Sequence, residues 1–347
     1  MEKTPNIVKG IGITAVVVGH SCCPNFLHDI IYAFHMPLFF ILSGYLFKEK
    51  YFSQRKTFLK KRVHTLYLPY VVWSISFILL HNTFFRLGLI NDIYGYNGKV
   101  NHIYSYTETG FQIVKSFFLI QNENFLGAFW FIRSLLIGQI LFLFLFNSTK
   151  KQILGIPIII ILLITRILMI KYNVIPDAGT ILHQALFATL FISIGALLKK
   201  HPIRTHSVKN IFPFSILILS GLYFNLSMDS NITNIVILPI TGFCGYLLIN
   251  KISILIEQKK IGTFFSIIGN QSFYIFALHF LMFKPISLLK IHLYNLDPEM
   301  LGAFPVITEY NTFFWILYSI TGIILSFVLS FVIEKIPILN RRNISIK

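Results

Sequence analysis

Apolar runs of about 18 to 22 residues recur from one end of this chain to the other, and about 20 such residues are what a helix needs to cross a bilayer. Inside hydrocarbon every backbone polar group must be satisfied within the protein, so runs of this kind must be helices. With 55% of its 347 residues hydrophobic and only 12% charged, the chain reads as an all-α polytopic membrane protein. Ten transmembrane helices are expected, at 7–25, 30–47, 66–86, 125–146, 153–170, 181–198, 210–227, 232–250, 264–283 and 312–333, in one integral membrane domain covering 1–347.

The net charge of +17 would suggest a nucleic-acid partner in a soluble chain, but here the basic residues sort by loop. With the N-terminus inside, the inner segments carry 21 Lys or Arg and the outer segments six. That asymmetry puts both termini in the cytoplasm, and no nucleic acid is expected. The first apolar run superficially resembles a signal peptide. Lys9 at its start, the lack of an A-x-A site and the immediate second span argue for a retained helix. Cys22, Cys23 and Cys244 make neither a metal spacing nor a disulfide framework, so no metal is expected.

The stretch Lys9–Phe47 is the densest in chemistry. KGIGITAVVVGH followed by YAFHMPLFFILSGYLF puts a cation, two histidines and a serine into apolar segments. Ionisable groups inside a span mark a functional site. At 1.5 Å per residue, His20, His35 and His279 fall about 20, 22 and 22 Å from the inner face, and Arg133 about 18 Å. One reading is a polar chamber in the outer half of the bundle; the plainer one is a helix–helix hydrogen bond for each histidine.

An imidazole suits proton abstraction from a hydroxyl at neutral pH, and His20 is the preferred base. Lys9 lies eleven residues before it on the same helix, about three turns and 16 Å away, so a cofactor bound at one end could reach the other. Alternatively Lys9 is a snorkelling anchor. Ser43 and Gly44 leave room either for a close helix or for a thin ligand. Trp130 in the fourth span, and Asn270 and Ser272 in the ninth, are candidates for acceptor contact.

Two outer segments, 87–124 and 284–311, are long enough to be more than turns. FQIVKSFFLI (111–120) reads as an amphipathic piece lying at the interface, and the Tyr and Phe around it as an interfacial belt or a saccharide-contacting platform. The inner loop KEKYFSQRKTFLKKRVHTL either serves topology and anionic-lipid contact or also receives a polyanion.

Taken in order, Lys9-x10-His20, FHMPLFFILSGYLF (34–47), FLKKRVHTLYLPYVVW (58–73), FWFI (129–132), LFISIGALLKK (190–200) and IGNQSFYIFALHF (268–280) resemble the membrane acyltransferase 3 superfamily, in its fucose 4-O-acetylase-like branch. The resemblance implies a bacterial cell-membrane enzyme. It would move an acetyl group from cytosolic acetyl-CoA to a hydroxyl of a surface or lipid-linked saccharide. It maps the essential first-helix histidine onto His20, and Lys9 onto a position where many members carry Arg. Lysine there offers a point charge instead of a fork. Lys60, Lys61 and Arg62 match the basic loop before the third span and would suit the CoA phosphates.

On this reading the thioester passes Ser43 to the level of His20, and Arg133 or a ninth-span side chain stabilises the oxyanion. The alternative is a transporter or flippase of lipid-linked saccharide, with the histidines relaying protons.

Overall fold

The computed structural model describes residues 3–95, 102–146, 149–172, 180–202 and 232–336, with single positions between 215 and 228 and at 339. Among these residues the regular structure is helical and there is no strand. Seven helical stretches are long and apolar enough to cross a membrane: Asn25–Tyr45, Arg55–Arg86, Asn124–Leu145, Ile181–Lys200, Asn234–Ile256, Ser272–Tyr294 and Phe314–Ile333. They correspond to seven of the ten expected spans. Residues 153–170 lie within the helix α8 (Thr149–Lys171), whose apolar part is the shorter Gly155–Met169. The first expected span is α1 (Lys3–His20), and most of 210–227 lies outside the described residues.

Packing divides the chain into two compact units interleaved in sequence. The first contains 1–15, 25–62 and 131–270, and the second 16–24, 63–130 and 271–347. Helix α1 contributes its first four turns to one and its last residues to the other.

In the first unit the expected second span is broken into α2 (Asn25–Tyr32) and α3 (His35–Tyr45). Pro37 is the cause. It has no N–H to donate to the carbonyl of Ala33, four residues back, so the ladder fails there. The hydroxyl of Thr241, on α10 (Ile232–Ile256), donates to that carbonyl instead at 2.9 Å. Helix α3 then runs tightly against α9 (Thr180–Lys200): a Cβ on Gly44 would strike the carbonyl of Ile192, and one on Gly195 the carbonyl of Ile41. The start of α1 is capped by Glu257, whose carboxylate accepts from the Thr4 N–H at 3.1 Å, where the helix dipole favours negative charge. Arg166, on α8, is buried.

The second unit is built on α5 (Leu68–Arg86), which follows α4 (Arg55–Arg62) of the first unit and a π-type turn. Helix α6 (Tyr106–Phe117) starts with a capping box: Ser105 Oγ accepts from the Glu108 N–H and Glu108 accepts from the Ser105 N–H. Those bonds from Ser105, then the His102 ring, hold the Glu108 carboxyl at about 2. The expected interfacial piece 111–120 instead belongs mostly to this helix, which runs antiparallel beside α5. Its entry meets Asn82 through Tyr104, and its end meets the Tyr67 hydroxyl through the Phe117 carbonyl at 3.0 Å. Gln112 and Ser116 are buried while Phe111, Val114 and Phe117 are exposed. That is the reverse of a water-facing helix, and it suits a lipid-facing one.

The ninth expected span, 264–283, is also redrawn. Helix α11 (Lys260–Asn270) ends in the first unit; α12 (Ser272–Met282) begins after Gln271 and continues through Phe283 into α13 (Lys284–Tyr294). Pro285 sits in the first turn of α13, where proline costs no helical bond of its own, so Lys-Pro bends the path without ending it. Lys284 and Lys290, expected in an outer loop, are therefore buried on a helix. Lys284 Nζ donates to the carbonyls of Leu301 and Ala303 at 2.7 and 2.8 Å, and Lys290 Nζ to that of Ile307 at 2.9 Å. They strap the segment 298–307 against α13. Helix α14 (Phe314–Ile333) closes the unit through Ser319 Oγ, 2.9 Å from Ser21 Oγ, and Tyr318, edge-on to Phe283.

Candidate active site

Helix α1 ends at His20, and the structure brings that ring to His279 on α12. The two imidazoles stack with centroids 5.5 Å apart and planes 24° from parallel. Phe280 tilts against both rings, at 4.9 Å from His20 and 4.1 Å from His279, and is itself backed by Phe304 at 4.7 Å.

His279 has no exposed surface. Its Nδ1 lies 2.9 Å from the carbonyl of Phe276 and 3.2 Å from that of Ile275. A carbonyl can only accept, so Nδ1 carries the proton, and in the neutral ring Nε2 holds a lone pair. That Nε2 is buried with no hydrogen-bond partner among the described residues. Unpaired buried polar atoms are costly, and one that persists asks for a functional explanation.

Most of the other expected site residues fall in the first unit. His35 opens α3 after the break, is buried, and lies with Nδ1 2.8 Å from the Ile31 carbonyl. For that nitrogen the local hydrogen bond holds. Arg133, on α7 (Trp130–Leu145), is half-buried and donates to Gln184 Oε1 at 3.3 Å. Lys9 is half-buried, its Nζ 3.4 Å from Asn6 Oδ1, and the unbroken α1 preserves its eleven-residue spacing from His20. The Ser43 hydroxyl accepts from Gln139 Nε2, and the space beside Gly44 is filled by the backbone of α9. Helix packing thus accounts for both small residues. Lys60 and Lys61 are exposed at the end of α4, while Arg62 is half-buried with its guanidinium 4.6 Å from the Phe58 ring centre.

Residues 3–335 of the chain match the acyltransferase domain model of the acyltransferase 3 family. The chain belongs to that family. Neither the curated proteins nor the solved structures give a match. Membership makes this a multi-pass membrane acyltransferase and implies an acyl donor as co-substrate. Among the described residues of this acyltransferase no three His, Cys, Asp or Glu side chains gather as a metal site. Trp130, at the first position of α7, and Ser272, at that of α12, are half-buried in the second unit. Asn270 ends α11 in the first unit and is exposed.

One cluster in the acyltransferase has no counterpart in the sequence reading. His81, buried on α5, lies with Nδ1 2.9 Å from Glu123 Oε2 and Nε2 2.9 Å from the His102 carbonyl. Both neighbours are acceptors, so both ring nitrogens carry protons and the pair is a buried imidazolium and carboxylate. Tyr104 donates its hydroxyl to the other oxygen of Glu123 at 2.9 Å and stacks on His81 at 3.8 Å. Burial, then the Glu123 charge, pushes the Tyr104 phenol up, so it remains a donor. An ionisable residue within FILLHNTFFR and an acid just before an apolar run were the available signals. Nothing local joins them across 42 positions.

Proposed function

We propose that this protein is a membrane O-acetyltransferase. It takes an acetyl group from cytosolic acetyl-CoA and gives it to a hydroxyl of a cell-surface or lipid-linked saccharide in the bacterial cell membrane. The observation that supports this best is the stacked His20–His279 pair, with an acceptor nitrogen held in a buried, aromatic setting. The family match favours transfer over transport of the same saccharide.

In the proposed reaction the acceptor oxygen attacks the thioester carbonyl as His20 takes the hydroxyl proton. The tetrahedral oxyanion collapses, the C–S bond breaks, and the departing thiolate takes up the proton, leaving an O-acetyl ester and free CoA. His279 serves on the proton-accepting side, because its Nδ1–H is committed to its own helix and the neutral Nε2 has no proton to give an oxyanion. That role goes to a fixed cation, and Arg133 is assigned to it by its charge. His35 is assigned to the same chemistry by residue type alone. Lys60, Lys61 and Arg62, with Lys9, are assigned to the CoA phosphates, and Trp130, Asn270 and Ser272 to the acceptor.

Purified protein given labelled acetyl-CoA and a panel of saccharides, with mass analysis for an added acetyl group, tests the reading. His20→Ala is expected to lower the transfer rate by about 10² to 10⁴, the usual contribution of a positioned acid–base group. A His20→Ala protein that inserts normally and transfers at the full rate removes His20 from the chemistry.

A further inference from the structure

We infer that Tyr310 is a saccharide subsite, binding a sugar ring of the acceptor that flanks the unit being acylated. This rests on the saccharide-acceptor reading above and deepens it.

Tyr310 and Tyr294 stack face to face, with ring centres 4.5 Å apart and planes 4° from parallel. Tyr294 is the last residue of α13, so one face of Tyr310 has a rigid backing while 60% of the residue stays exposed. The backbone of Tyr310 is left-handed, φ 49°, a conformation an aromatic residue seldom adopts and one that persists where surrounding structure imposes it.

The surrounding structure ties this ring to the candidate active site. Asn311 donates its side-chain N–H to the carbonyl of Cys22, two residues beyond His20. Ser319 bonds Ser21 next to it. The ring is thus mounted on the same turn that ends α1 at the His20–His279 pair.

What the neighbours carry selects the occupant. Tyr94 donates its hydroxyl to Asp297 Oδ2 at 3.1 Å, and its phenol is pushed up by that bond and by the charges of Asp297, Glu299 and Glu309. Three carboxylates are therefore carried by the segment that runs from Tyr294 to Tyr310. Such a surface repels phosphate and anionic lipid headgroups, which an interfacial belt would have to face. It suits a neutral polyol, whose hydroxyls donate to carboxylates while the C–H face of its ring covers an aromatic face.

Acceptors of one to four sugar units, prepared by partial hydrolysis of the host's surface polysaccharide, would be compared in transfer assays with labelled acetyl-CoA. For Tyr310→Leu, which keeps the apolar bulk, KM for the longer acceptors is expected to rise about tenfold, with kcat changed less than twofold and no such rise for the single sugar. Tyr310→Phe, which keeps the ring, is expected to restore the wild-type KM. An unchanged KM in Tyr310→Leu, or an equal change for single sugars and oligomers, overturns the subsite while leaving the transfer reaction standing. Failure of the wild-type protein to acetylate any of these saccharides overturns the acceptor reading and the subsite with it.

Discussion

Three buried histidines show how neighbouring atoms, more than residue type, decide what an imidazole does. His35 spends Nδ1 on a carbonyl four residues back in α2, across the break, and His279 on carbonyls of its own helical turn. His279 then keeps a buried acceptor nitrogen beside a second ring. His81 spends both nitrogens, one on a carboxylate, and becomes the cationic half of a buried pair. Breaking such a pair by neutralising one partner typically costs about 3 to 5 kcal/mol. Glu123→Gln is accordingly expected to lower the unfolding temperature in detergent markedly, and a melting curve that overlays the wild type would show that the pair does not hold the 102–126 segment to α5. His20 and His279 were legible in the sequence because a lone ionisable residue in an apolar run stands out. Their stacking was not, since it depends on how α1 and α12 are placed. The reckoning that set His35 at their level assumed an unbroken second span, and Pro37 removes that assumption.

At the scale of elements, hydropathy located the spans because the bilayer fixes their length, and it misplaced their ends where local chemistry decides. Pro37 and Pro285 each stand in the first turn of a helix, α3 and α13, and each interrupts the helical path just before it without ending the apolar stretch. FQIVKSFFLI was legible as amphipathic, but which face meets protein was not, since a polar stripe can face water or a neighbouring helix. Gly44 and Gly195 were legible as small, and the structure shows that each is needed by the other's helix. Gly195→Ala is expected to push α3 and α9 apart, reducing the folded fraction that survives heating in detergent. Gly110→Ala, at an exposed position with nothing within 4 Å, is the control and is expected to be neutral. Equal survival of the two variants would mean that the α3–α9 contact yields without cost.

For the whole molecule, we propose from the charge asymmetry of the loops an orientation in which α1 carries Lys9 at its cytoplasmic side and His20 at its outer end. Cys22 reports on that orientation directly. It is an exposed free thiol two residues past His20, whereas Cys23 and Cys244 are buried. A membrane-impermeant maleimide applied to intact cells is expected to label the protein, and Cys22→Ser is expected to abolish the labelling. Labelling that appears only once the membrane is opened would reverse the orientation and put the acceptor on the wrong side for a surface glycan.

Lys284 and Lys290 grip the returning strap by peptide oxygens, which every amino acid owns. The side chains along that strap are therefore free to drift without loosening their anchorage. Substitutions could accumulate from there to the exposed Tyr310 and leave untouched the scaffold that presents it.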